Sequence, residues 1–339
     1  MISVAVLMLS GVLGGQALEP GDHQRTLTTD GRERSYVVHI PKQYDASTPS
    51  PVVLVFHGAA SNPYGCMWFT GMSTKSDEAG FVAVYPNGVG AGLLRVWNAG
   101  ARTGPLADEL PDDVKYVDAL LDDLATVMNV DPRRVYATGC SNGGMMCYRV
   151  AAELSHRIAA IAPVAGPMAL DEARPGRPVP VMHFHGTADP IVPFDGPAKG
   201  TPEFLTFKSV EETISIWRRI NGCPEKPTVM DHADKVADGT TVKQFTYGPG
   251  KDGAEVVLIE IQGGGHTWPG RKPPVKFIGK STFDISASDL IWAFFQKHPM
   301  PERKREDGAV GGAQQRHESK ITSQPGDKET RGPGDQETP

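Results

Sequence analysis

Val135-Tyr-Ala-Thr-Gly139-Cys140-Ser141-Asn142-Gly143-Gly144-Met145 decides the fold. It reads as an apolar, β-branched strand, a G-x-S-x-G turn, and the start of an apolar helix. The glycines carry no Cβ, so strand and helix can approach closely while the serine is held in a strained conformation with its hydroxyl exposed. Ser141 then sits at a helix N-terminus. Free N–H groups and the positive end of the helix dipole favour a developing oxyanion there. The spacing alone is common in sequences; the strand before it and the helix after it give it meaning. Ser141 is the candidate nucleophile.

Further apolar runs flank this segment: Tyr36–Ile40, Val52–Phe56, Phe81–Tyr85, Ile158–Val164, Val181–Phe184 and Val256–Ile261. Most are continuous rather than alternating, as expected of strands covered on both faces. Helical spacing links Val114, Val117, Leu121, Leu124 and Met128, with Asp112 or Asp113 as the cap. Helices are also expected over about 145–154, 210–219 and 287–295. Alternating strands and helices imply an α/β fold, with a mostly parallel sheet and helices on both faces, in one catalytic domain over about 24–300.

Once the serine turn is read as the nucleophile elbow of an α/β-hydrolase, the other partners have set places. The acid and then the histidine follow the serine in the chain, and a second oxyanion donor comes from the loop after an earlier strand. Val52–Phe56 runs into His57-Gly58-Ala59, so the N–H groups of Ala59 and Asn142 form the expected oxyanion hole. His57 is expected to hold that loop by hydrogen bonds, with general base as its lesser reading. Val181–Phe184 leads to His185-Gly-Thr-Ala-Asp189, which makes Asp189 the acid, with Asp195 as competitor. His183 and His185 point to one side of their strand. Without a third ligand nearby they read as packed histidines rather than metal ligands. Val256–Ile261 leads through Gly263-Gly-Gly265 to His266, and the glycines free the backbone to aim the ring at the serine. His232, His298 and His317 lie in a polar loop, after the last helix and in the C-terminal segment, so His266 is the candidate base.

Together these segments resemble the secreted polyhydroxybutyrate depolymerase and feruloyl esterase family of α/β-hydrolases. The matching residues are Phe56-His57-Gly58, Tyr85-Pro86-Asn87-Gly88, Trp97-Asn98-Ala99-Gly100, Asp112-Asp113-Val114, Gly139 to Met145, His185 to Asp189, and Gly264-Gly265-His266-Thr-Trp268-Pro269-Gly270. They keep the family's order over about 30–295, and the last run is the most specific. The resemblance implies carboxylic-ester hydrolysis by Ser141, Asp189 and His266 with no cofactor. Trp97, Asn98 and Trp268 are candidate substrate-binding residues, with packing beneath the loops as the alternative. Many members continue Trp-Asn-Ala-Gly with a cysteine pair; here Ala101-Arg102 follows, so a disulfide beside the pocket is not expected. The substrate classes left open are feruloyl or acetyl esters on polysaccharide and polyhydroxyalkanoate oligomers. A peptidase of the same fold and a catalytically silent binding protein are the competing functions.

Composition agrees with a globular enzyme: 339 residues, 39% hydrophobic and 22% charged. The net charge of −6 gives no reason to expect nucleic acid as a partner. Met1–Ala17 holds the one long apolar run, too short to span a bilayer comfortably. It ends in small residues suited to cleavage, so residues 1–17 read as a signal peptide and the protein as secreted or periplasmic. From residue 301 to 339 there is no aromatic residue and few aliphatic ones, which reads as a disordered tail. Cys66, Cys140, Cys147 and Cys223 allow three complete pairings; buried thiols are the simpler reading for Cys140 and Cys147.

Overall fold

The computed structural model describes residues 18–90, 95–100, 110–199, 201 and 206–302. The expected signal peptide and all but the first two residues of the expected tail lie outside the described residues.

Ten strands form one sheet: β1 (Gly21–Thr29), β2 (Arg32–Ile40), β3 (Ser50–Phe56), β4 (Val82–Pro86), β5 (Val130–Cys140), β6 (Ala160–Val164), β7 (Val181–Gly186), β8 (Thr228–Asp231), β9 (Thr241–Tyr247) and β10 (Val256–Gln262). Their order is β1-β2-β4-β3-β5-β6-β7-β10-β9-β8. The six central strands, β4 to β10 in that order, run parallel. An antiparallel ribbon closes each side, β1-β2 against β4 and β9-β8 against β10. The seven apolar runs read from sequence correspond to β2–β7 and β10. β1, β8 and β9 are the strands that reading lacks. β1 and β2 are joined by Asp30-Gly31, both at positive φ, which is the two-residue turn whose twist suits a hairpin.

Among the described residues six helices cover the sheet: α1 (Pro63–Thr70), α2 (Met72–Ala79), α3 (Asp113–Ala125), α4 (Asn142–Glu153), α5 (Val210–Asn221) and α6 (Ala287–Lys297). Each of α3, α5 and α6 starts where a side-chain oxygen accepts an otherwise orphaned N–H, from Asp112, Ser209 and Ser286. Asp112 alone caps α3. Asp113, the other candidate cap, is fully buried and pairs with Arg34 at 2.7 Å while accepting the amide of Asn98 at 2.7 Å. Burial pushes its carboxyl up, and Arg34 and the Asn98 amide pull it back down.

Apolar cores lie on both faces of the sheet, as the continuous apolar strands require. One unites Val117, Leu121 and Leu124 of α3, Met146 and Val150 of α4, and Ile214 and Trp217 of α5 with Val52, Leu54 and Val135. The other unites Cys66 of α1, Met72 of α2, and Ile291 and Phe295 of α6 with Val53, Tyr136 and Ile259. Full burial of each such side chain contributes about 1.5–3 kcal/mol. All four cysteines are buried free thiols. No described helix is long and apolar enough to cross a membrane.

Candidate active site

The parallel strands end on one edge of the sheet, and the loops there carry every candidate residue. Ser141 follows β5 directly and adopts φ 59°, ψ −125°, a strained backbone for a residue with a side chain. The strain is held from both sides: the Ser141 amide donates to Val164 O at 2.9 Å and its carbonyl accepts from the Met145 amide at 3.0 Å. Glycine is required around it. A Cβ on Gly143 would lie 2.2 Å from Phe56 O and one on Gly139 2.6 Å from the same oxygen, so β3, β5 and α4 meet backbone to backbone.

Asp189 and His266 come from the ends of the neighbouring strands β7 and β10. A Cβ on Gly186 would fall 2.3 Å from Gly264 O, and the Ala188 amide donates to that same oxygen at 2.9 Å. This contact between glycine backbones brings the two loops close enough for the side chains to meet. His266 Nδ1 lies 2.7 Å from Asp189 Oδ2. The other carboxylate oxygen, Oδ1, accepts the amides of Ile191 at 2.8 Å and Val192 at 2.9 Å, which fixes its orientation. The His266 backbone is held in turn by its amide, which donates to Ile278 O at 2.6 Å. Both side chains are buried. Asp195 is exposed and takes no part in the pair. His266 Nε2 and the Ser141 hydroxyl make no hydrogen bond among the described residues. Such contacts often tighten only when substrate is bound.

Ala59 and Asn142 line one cleft with Ser141, and neither amide has an acceptor among the described residues. The loop carrying Ala59 is clamped. His57 Nδ1 donates to Gly58 O at 2.7 Å, and His57 Nε2 accepts from the Gly88 amide at 2.9 Å. Trp97 Nε1 donates to His57 O at 2.8 Å. His57 is buried and fully used as a brace, and burial pushes its pKa down to about 4. Asn142 contributes more than its amide. Its side-chain oxygen accepts from Trp97 N at 2.7 Å and its NH₂ donates to Trp97 O at 3.2 Å, which ties the elbow to the loop before α3.

The cleft has a volume of about 420 Å³, and no charged side chain is among its described lining residues. Trp97 is part of its wall and also packs edge-on against Phe56. Asn98 and Trp268 are not in that wall. Asn98 is used by its backbone, which donates to Asp113 and accepts from Arg149. Trp268 is fully buried in the core on the α6 side, with Nε1 donating to Ser288 Oγ at 3.1 Å. An indole with its single donor satisfied inside a core offers nothing to a ligand. Val96, Met145, Ile191, Val192, Pro193 and Phe207 supply most of the apolar wall instead. They come from four separate segments, so no local motif announces them.

The dienelactone hydrolase family model matches residues 36–218, more than half of the chain. Among curated proteins, the "Putative esterase NocK" of Nocardia uniformis subsp. tsuyamanensis is 33% identical over 80% of this chain and 81% of its own length. The bifunctional acetylxylan esterase/xylanase XynS20E of Neocallimastix patriciarum is 29% identical over 68% of this chain and 31% of its own length. Feruloyl esterase B of Piromyces equi is 28% identical over 69% of this chain and 42% of its own length, so the chain spans less than half of either of these two. Among solved structures, the acetyl xylan esterase from Aspergillus awamori superposes with a TM-score of 0.55 at 15% identity, over 81% of this chain and 99% of that one.

Proposed function

The chain belongs to the dienelactone hydrolase family of α/β-hydrolases and is a carboxylic ester hydrolase, and we propose that Ser141, His266 and Asp189 cleave its ester through an acyl-enzyme. The observation that carries this reading is the 2.7 Å contact between Asp189 and His266 on the same sheet edge as the strained Ser141. Asp189 keeps the proton on His266 Nδ1, which leaves Nε2 free to accept. His266 takes the Ser141 proton as the hydroxyl attacks the ester carbonyl. The amides of Ala59 and Asn142 receive the oxyanion, and one such donor contributes about 3 kcal/mol in the transition state. The alcohol leaves with the proton from His266, and water repeats the sequence on the acyl-enzyme.

The cleft supports a neutral, apolar acyl group. Its wall is mostly aliphatic and aromatic, with Asn142, Thr201 and Thr206 as polar members beside Ser141, and it offers no cation to pair with an anionic substrate among the described lining residues. We therefore place feruloyl esters on polysaccharide ahead of acetyl esters, which would leave most of the cleft unfilled, and ahead of hydroxyalkanoate oligomers, whose chains are more polar per unit length. The relatives named feruloyl esterase and acetylxylan esterase support the polysaccharide setting. Export through the apolar segment Met1–Ala17 fits that setting and is tested by N-terminal sequencing of protein recovered outside the cell.

The test is hydrolysis of p-nitrophenyl acetate, methyl ferulate and a soluble hydroxybutyrate oligomer by wild type and Ser141→Ala. Activity highest on methyl ferulate and absent from the variant is the expected result. A folded wild type that turns over none of the three would refute the proposed mechanism, and a preference for the oligomer would refute the substrate class.

A further inference from the structure

Beneath the acid runs a row of buried polar side chains that the ester-cleavage steps do not use. Tyr148 of α4 and His183 and His185 of β7 are all fully buried. Tyr148 Oη lies 3.0 Å from His183 Nδ1, His183 Nε2 lies 3.1 Å from His185 Nδ1, and His185 Nε2 lies 2.8 Å from Val192 O. The same Nε2 faces Asp189 Oδ2, the oxygen that holds His266, at 3.6 Å.

The proton positions follow from one end. Val192 O can only accept, so His185 carries its proton on Nε2. Burial disfavours a charged ring for both histidines, so His185 Nδ1 is bare and must accept from His183 Nε2–H. His183 Nδ1 is then bare and accepts the Tyr148 hydroxyl. Every donor in the row points toward the Asp189 loop. Two neutral imidazoles stay buried among apolar side chains here because every ring nitrogen in the row has a hydrogen-bond partner. Their terminus at the acid gives the row a purpose.

We propose that His185 is a positioning residue for Asp189: its Nε2–H, aimed by His183 and Tyr148, bonds the Val192 carbonyl and so holds closed the Asp189–Val192 turn whose amides fix the carboxylate that orients His266. The turn closes on itself from both ends. Asp189 Oδ1 takes the Ile191 and Val192 amides, and His185 takes the Val192 carbonyl. Without the His185 donor the turn would lose its Val192 anchor, and the amides that fix the carboxylate, and with them the aim of the imidazole, would loosen. The inference rests on Asp189 and His266 being the acid and base proposed above.

Two measurements test it. In wild type, long-range ¹H–¹⁵N correlation at neutral pH is expected to show His183 and His185 both neutral with the proton on Nε2. A proton on Nδ1 of either ring, or a charged ring, overturns the inference, and this holds even if no ester is turned over and the proposed mechanism itself fails. In kinetics on p-nitrophenyl acetate, whose small acyl group hardly uses the cleft wall, His185→Phe is expected to lower kcat by about tenfold to a hundredfold with KM little changed. His185→Gln, whose side-chain NH₂ can occupy the Nε2 position, is expected to restore most of the loss. A folded His185→Phe protein with wild-type kcat overturns the inference. So does a His185→Gln protein that melts like wild type and is as slow as His185→Phe.

Discussion

Replacing Asp189 by asparagine should disable the site while leaving its shape intact. Asp189 makes three close contacts: Oδ1 with the amides of Ile191 and Val192, and Oδ2 with His266 Nδ1 at 2.7 Å. An asparagine amide must put its oxygen where Oδ1 lies, because two N–H donors already point there and would repel an NH₂. The NH₂ is thereby turned onto His266 Nδ1, which has to become an acceptor. The imidazole proton then moves to Nε2, the atom proposed to receive the Ser141 proton. The base is blocked rather than removed. A triad held in the wrong tautomer loses about 10⁴-fold in kcat, and at 1.36 kcal/mol per tenfold that is about 5.5 kcal/mol of transition-state stabilisation. Stability should change far less. All three hydrogen bonds survive in number but pass from charge-assisted to neutral, partly offset because no charge is buried any longer, a loss of about 1–2 kcal/mol. The assay is p-nitrophenyl acetate turnover beside a denaturation curve. A folded Asp189→Asn protein within about tenfold of wild-type kcat would show that Asp189 does not set the tautomer. A loss above about 3 kcal/mol would show that the amide does not sit as argued.

Other outcomes follow from the same geometry. Gly143→Ala puts a methyl 2.2 Å from Phe56 O, where only backbone can yield; it should destabilise by at least about 3 kcal/mol or abolish folding, read by urea denaturation. Ser141→Gly relieves a positive φ that Ser141→Ala keeps; both should be inactive, with the glycine protein more stable by about 1 kcal/mol. Asp113→Ala leaves Arg34 charged and buried without its partner and should cost about 3–5 kcal/mol by chemical denaturation, with little effect on KM if the protein still folds. His57 in the folded chain has its pKa pushed down from 6.5 to about 4 by burial. Below about 6.5 the unfolded chain takes up a proton that the folded chain refuses, so stability must fall as pH drops from 6.5 to 4. The loss reaches about 3 kcal/mol from this group. A melting temperature flat across that range would contradict it.

Where a residue's environment is set by its immediate neighbours in the chain, the sequence was a good guide. Continuous Val and Ile runs have to be strands covered on both faces, and β2–β7 and β10 are. Parallel strands place Ser141, Asp189 and His266 on one edge once each is known to follow a strand. The three missing strands lie outside that logic. Along β1 every other residue is exposed and the rest are only half-buried, and β8 is exposed throughout, so neither carries an apolar period. The Asp30-Gly31 turn was the available signal for β1, and it lies in a polar stretch that invites no strand on either side. α1 and α2, at eight residues each, are too short for a helical period to stand out. Trp268 teaches a different limit. A distinctive motif marks a residue as required without saying which way its ring points, and here it points into the core. Asp113 is similar: adjacent acids before a helix are equivalent as caps until Arg34, 79 residues away in the chain, claims one of them.

The four free thiols make the protein a reporter on its own opening. Cys66 lies in α1, Cys140 ends β5, Cys147 lies in α4 and Cys223 follows α5. They are distributed across both faces of the sheet. Burial holds each thiol in its protonated, unreactive form, so a thiol reagent can attack only a segment that has first come apart. Alkylation rates at the four sites, separated by peptide mass, would therefore rank the lifetimes of four different regions without any engineered label. Cys140 adjoins Ser141, so its rate tracks how often the strained elbow lets go. If the elbow is the last part to open, an intact serine turn would outlast much of the surrounding fold under heat.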